Sequence, residues 1–143
     1  MTLVEVTIAI VIMAFAAAAL LGTMSFVSKS SGESLVTHQA EAITNAYLDE
    51  ALSKAFADPD GVGPEASRAQ FDNVADFNTL PDTIVRSPNG AAIAGLDQYR
   101  VTVIVGGGAL GALPAADVLR VDVAVTHLMS DTVVTASGYR TRF

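Results

Sequence analysis

The chain has no cysteine. That excludes a disulfide framework and any thiolate metal site, so a folded domain here rests on its core alone. Basic residues are few: eight Lys and Arg against fifteen Asp and Glu leave a formal net charge of −7. The eight are scattered from Lys29 to Arg142 rather than gathered in a stripe. A nucleic-acid-binding surface needs such a stripe, so no nucleic-acid partner is expected. Charge is scarce altogether, at 16% of residues against 51% apolar, where a soluble domain is about a quarter charged. The deficit is local. No charge falls between Glu5 and Lys29, and no basic residue precedes Glu5. The remainder carries an ordinary load. At 143 residues the chain accommodates an apolar N-terminal segment and one domain with a core.

What is there begins with "MTLVEVTIAIVIMAFAAAALLG". Val6 to Val27 is about 22 residues without a charge. As a helix rising 1.5 Å per residue it reaches roughly 33 Å, enough to span a bilayer core. A secretory signal peptide would have a basic start, a shorter apolar core and a small-residue cleavage site, and these are missing. An ordinary transmembrane anchor leaves Glu5 unexplained except as an interfacial residue. A third reading takes Met1 as a processed terminus from which a basic leader has been removed. A free α-amine, with a reference pKa of about 7.7–8.0, then lies a few residues from an acid. A carboxylate in apolar surroundings is costly unless paired. In a stack of such helices, Glu5 of one chain could meet the amine of the next.

"TLVEVTIAIVI" resembles the N-terminal motif of type IV pilins and type II secretion pseudopilins. The match covers about the first 25 residues: hydroxyl, two aliphatics, acid, then an unbroken apolar helix. The resemblance implies cleavage by a prepilin peptidase, N-methylation of Met1, and an assembly role for Glu5 with Thr2 beside it. Three positions depart from the usual pattern: Met1 where Phe is common, Ala14 where Gly is frequent, and Gly22 where Pro is frequent. Gly22 still weakens a helix, by about 1 kcal/mol relative to Ala, and the expected loosening lies between Ala14 and Gly22. The Ala-rich "AFAAAALL" argues the other way. "EAITNAYLDEALSKAFADPDG", "RAQFDNVADFNTL" and "SGYRTRF" are similar to MshD-type minor pilins of mannose-sensitive haemagglutinin (MSHA) pilus systems.

Beyond Ser28 the helical period becomes amphipathic. Val36, Ala40, Ile43, Tyr47 and Ala51 form a stripe, flanked by Leu48, Leu52 and Ala55, opposite Glu33, Gln39, Glu41, Asn45, Asp49 and Lys54. "SSG" at Ser30–Gly32 is the weakest point of this helix. Its end is expected near Asp58, because Pro59 disfavours helix in the residue before it. Residues 1–27 are thus an apolar helical segment and residues 28–143 a head domain. The head comprises an amphipathic helix over 28–57, an ordered connecting loop over 58–82, and an antiparallel sheet over 83–143. Phe71, Val74, Phe77 and Leu80 are the expected anchors of the loop. "DPDG" with Asp72 and Asp76 invites Ca²⁺, but EF-hand spacing is absent, and the expectation is a turn with a solvated acidic face and no metal.

"TIVRSPNGAAI" carries a turn signal at Ser87–Gly90. "YRVTVIV" and "LRVDVAV" alternate, with Tyr99, Val101, Val103 and Val105 on one face, and Leu119, Val121, Val123 and Val125 likewise. "TVVTASGYRTRF" closes a meander of three long strands, laid on the helix stripe with a small extra hairpin. The fold class is α+β, with a long helical spine and a small sheet head, and the resemblance implies a pilin-like arrangement. Gly106, Gly108 and Gly111 satisfy G-x-G-x-x-G after a strand, but Pro114 and the next strand leave no room for a βαβ crossover. The stretch reads as a hairpin loop. His38 and His127 have no metal-ligand spacing around them, and no nucleophile elbow occurs. No enzymatic activity and no cofactor are expected.

The resemblance implies a structural subunit that waits in the inner membrane of a bacterium and polymerises through its N-terminal helix. Its partners would be further copies or other pilins, the prepilin peptidase and the pilus assembly machinery, and its destination an adhesive fibre at the cell surface. A monomeric membrane-anchored binding domain and a minor type II secretion pseudopilin are the alternatives.

Overall fold

The computed structural model describes residues 2–61, 63, 65–80 and 83–142. The chain is α+β: one N-terminal helix, α1 (Leu3–Ser53), precedes a four-stranded antiparallel sheet that packs against it. Two compact units divide at Leu35 and Val36. The first is helix alone. The second contains the rest of α1 and everything after it.

In the second unit the strands are β1 (Thr83–Ile84), β2 (Tyr99–Gly107), β3 (Val118–His127) and β4 (Val133–Thr141), in the order β1-β2-β3-β4. Each pairs with its sequence neighbour, so the sheet is a meander. The β2–β3 register runs from Tyr99 opposite His127 to Gly107 opposite Leu119. The expected hairpin forms around Ser87–Gly90: the Gly90 N–H donates to Ser87 O at 2.8 Å, and Arg86 bridges to Ala92. Gly90 has φ +85°, which explains why "PNG" makes the turn without strain.

The core lies between the α1 stripe and one sheet face. Ala40, Ile43, Tyr47 and Ala51 are buried against Tyr99, Val101, Val103, Val121, Val123 and Val125. Each valine removed from water in this way contributes roughly 1.5–3 kcal/mol. Strict alternation fails at the start of β3. Val118 belongs to the outer face by parity, yet it is fully buried. Gly108 closes over it, where a Cβ would lie 3.2 Å from Val118 Cγ1.

In the connecting segment Phe71, Val74, Phe77 and Leu80 are all buried; Val74 and Phe77 lie in the second of two 3-10 helices (Arg68–Gln70 and Val74–Thr79), Phe71 directly follows the first and Leu80 the second. The segment also covers part of the β2 edge, where the Val103 N–H donates to Leu80 O at 3.2 Å and the Val105 N–H to Asn78 Oδ1 at 3.1 Å.

Two expectations need correction. Helix α1 ends at Ser53, not near Asp58. The chain leaves the helix because Ala55 finds other backbone partners: its N–H donates to Asp72 O at 3.2 Å and its carbonyl accepts from Val74 N–H at 3.0 Å. That parallel bridge competes with one more helical turn and wins before Pro59 acts. The acidic face of the loop is also not wholly solvated, since Asp76 is only 3% exposed. It holds the start of the second 3-10 helix, accepting from the Asn73 N–H at 3.1 Å, while Asn73 Oδ1 accepts from Ala75 N–H at 2.8 Å.

Candidate functional site

The apolar start of α1 has the composition of a core and the exposure of a surface. Ile8, Ile10, Ile12 and Leu21 are exposed, and Phe15 and Phe26 are each 74% exposed. Apolar side chains occur on all sides of the helix rather than along one stripe. A helix of this kind is stable only in lipid or among other helices. It is long and apolar enough to cross a membrane. Two of its threonines bond its own backbone. Thr7 Oγ1 donates to Leu3 O at 2.7 Å, and Thr23 Oγ1 to Leu20 O at 2.8 Å. Such back-bonding lets a hydroxyl enter an apolar medium with its donor satisfied.

Glu5 stands in the first turn, exposed, and has a local partner. The Thr2 N–H donates to Glu5 Oε2 and the Glu5 N–H to Thr2 Oγ1, both at a long 3.4 Å. Together with Val6 N–H donating to Thr2 O at 3.3 Å, this is a capping box: each side chain satisfies a backbone donor that the helix start would leave open. The signal Thr-x-x-Glu before an apolar run is in the sequence, and the family-based reading passed over it. So the structure brings Thr2 and Glu5 together. Met1 lies outside the described residues. Gly22 is part of α1, which continues through it and through Ser30–Gly32.

No family model, curated protein or solved structure matches this chain.

The other residues singled out by sequence fall into ordinary roles. His38 is exposed and lies 3.2 Å from Glu41 Oε2. His127 lies 2.9 Å from Ser130 Oγ and tilts against the Tyr99 ring, with centroids 4.8 Å apart. The glycines of "GGGALG" end β2 and enter a loop that leads to a three-residue 3-10 helix (Ala115–Asp117) and then β3. A dinucleotide fold would place a full helix there.

Sequence reasoning missed a buried polar cluster in the head. Arg68 pairs with Glu50, and its guanidinium stacks 4.0 Å above the Tyr47 ring. The Tyr47 hydroxyl donates to Arg86 O at 3.0 Å and accepts from Arg86 N–H at 2.8 Å. Glu50 was legible as a helix residue beside the stripe. That Arg68 would fold back on it was not, because the two lie eighteen residues apart across the loop.

Proposed function

We propose that the chain is a structural subunit of a type IV pilus-like extracellular filament, held in the inner membrane by its N-terminal helix until assembly. The observation that carries this reading is the exposed apolar surface of α1 up to Val27, with a single carboxylate in its first turn. A surface of that kind is soluble in lipid before assembly and in a bundle of like helices afterwards. The α+β head behind it fits the resemblance carried by "TLVEVTIAIVI". In the filament, Glu5 faces the amine of the neighbouring chain, which the same resemblance places, N-methylated, at Met1. Gly22 is then where the assembled helix loosens. The resemblance to MshD-type proteins favours a minor subunit.

The capping box favours a second reading, in which Glu5 serves only its own helix and the chain is a monomeric anchored binding domain. Electron microscopy of wild-type and Glu5→Gln protein separates the two. Gln keeps shape and can still accept a bond from the Thr2 N–H, so the cap and the fold should survive. Truncating one side of a buried charge pair costs about 3–5 kcal/mol, enough to stop subunit addition. The expected result is thin filaments from wild type and none from Glu5→Gln, with equal membrane insertion of both. Filaments of normal yield and length from Glu5→Gln would dismiss the pairing. No filaments from either protein would leave the anchored domain as the better account.

A further inference from the structure

We propose that Asn89 is a site of spontaneous covalent change, in which its side-chain amide becomes an acid through a cyclic imide with the Gly90 nitrogen. The asparagines of the chain are Asn45, Asn73, Asn78 and Asn89, and only Asn89 precedes a glycine. The structure also sets it apart from the others. Asn45 lies within α1. Asn73 is buried and caps the second 3-10 helix. Asn78 lies in that helix, and its side chain holds the Val105 N–H. Asn89 is exposed at the tip of the hairpin turn.

The reaction needs a nitrogen that can approach Asn89 Cγ, and a carbonyl polarised for attack. A side chain on the following residue hinders the approach, and glycine has none. Among the described residues, nothing lies within 4 Å of the place where a Cβ on Gly90 would be. The Asn89 side chain is folded toward the backbone that follows it. Its Oδ1 accepts from the Ala91 N–H at 3.1 Å and from the Ser87 hydroxyl. This Asx turn draws Cγ toward the intervening Gly90 nitrogen. The donors on Oδ1 withdraw charge from the carbon under attack, as donors do wherever a tetrahedral oxyanion forms. One contact opposes the change: the Gly90 N–H donates to Ser87 O at 2.8 Å. That is a single turn bond at a surface tip, which opens locally without unfolding the head.

The Gly90 amide proton passes to solvent base, and the nitrogen forms a bond to Asn89 Cγ. The Cγ–Nδ2 bond breaks and ammonia leaves, taking a proton from water, and a succinimide ring remains. Water then opens the ring. Opening at Cγ gives an aspartyl residue in the normal chain. Opening at the backbone carbonyl gives an isoaspartyl residue, in which the chain runs through Cβ and Cγ and is one atom longer. The balance is one water consumed and one ammonia released, with no oxidant and no cofactor. Either product places a new carboxylate beside Arg86, whose Nη1 donates to Gly90 O at 2.8 Å. The isoaspartyl form also lengthens the path between Ser87 O and the Gly90 N–H, and so disturbs the turn of the hairpin that Tyr47 ties to α1. The change is one-way, so the hairpin records the age of the molecule.

The test keeps the full chain folded in detergent micelles, in warm neutral buffer, and samples it over weeks beside a copy unfolded in guanidinium. Trypsin releases residues 87–100, which contain Asn89 and no other asparagine. Mass spectrometry of that peptide reads the exchange of amide for acid, and digestion in heavy-oxygen water marks any conversion made during digestion. The folded wild type should accumulate two acid forms, aspartyl and isoaspartyl, separable by chromatography, while the other asparagines keep their amides. A rise in pH should speed the conversion, because the nitrogen must lose its proton. Gly90→Ala, whose added Cβ hinders the attack, should convert about tenfold more slowly. Alanine is strained at φ +85°, so this variant and wild type are also compared in guanidinium, where the fold plays no part. Retention of the amide in the folded wild type overturns the proposal; conversion of the unfolded copy alone would show that the bond from Gly90 to Ser87 protects Asn89. Equal rates for Gly90→Ala and wild type in both conditions would overturn the imide route.

Discussion

At the scale of single residues, Asp122 shows how a sheet surface tunes an acid. It lies on the outer face of β3, opposite Ser137 of β4. The Ser137 hydroxyl donates to its carboxylate and the Arg120 Nε–H to the same oxygen at 2.9 Å. The Ser137 bond is the main cause that holds the carboxyl below its usual 3.8, with Arg120 assisting against a smaller cost of desolvation. A carboxyl depressed in the folded state binds fewer protons than in the unfolded chain. Its stabilisation is therefore present above the unfolded value and is lost as pH falls through the folded one. Ser137→Ala should raise the Asp122 pKa toward 3.8 and move the acid-unfolding limb to slightly higher pH. Carboxyl titration by NMR reads the first effect, and an unchanged titration would remove Ser137 as the cause. The stability change should stay below about 1 kcal/mol, because the group is largely exposed. Asp122 was legible as an outward residue from alternation alone. Its partner was not, since Ser137 meets it only through the β3–β4 register.

At the scale of elements, the periodicities of 3.6 and 2 carried most of the information. The stripe Ala40, Ile43, Tyr47, Ala51 and the strand faces of β2 and β3 are where the pattern placed them. The helix end was misjudged because local rules put the stop at proline, while a backbone bridge from Ala55 to Asn73 acts earlier. No window of sequence around Ala55 contains Asn73. Tyr47 likewise looks like one more stripe residue, but its hydroxyl joins α1 to the hairpin through both backbone groups of Arg86. Tyr47→Phe leaves the ring under Arg68 and strands that backbone N–H and carbonyl in a part-buried place. The expected loss is about 1–3 kcal/mol, read as a lower urea midpoint with unchanged m-value. A midpoint equal to wild type would mean that water replaces the hydroxyl without cost.

At the scale of the whole molecule, the two units answer to different solvents. Among the described residues, the buried core contains none before Val36 even among its partly buried neighbours, while the large apolar residues from Leu3 to Val27 are exposed. A chain starting at Ser28 should therefore remain soluble without detergent, and its thermal midpoint should fall within a few degrees of the full chain in micelles. Aggregation or loss of the sheet signal would mean that the apolar segment contributes to the fold of the head. The sequence by itself determined this division, because a charge-free run long enough to span lipid is a property of composition and length. It determined the fold class too, since amphipathic period and strand alternation are local. It marked Glu5 as exceptional, and the Thr2–Glu5 cap, although not read, was written in a four-residue pattern. Tertiary structure decided the rest: the helix end at Ser53, the Arg68–Glu50 pair and the burial of Asp76. Each of these depends on where a loop returns in space, and contacts between distant residues follow from chain closure and packing, which no local period encodes.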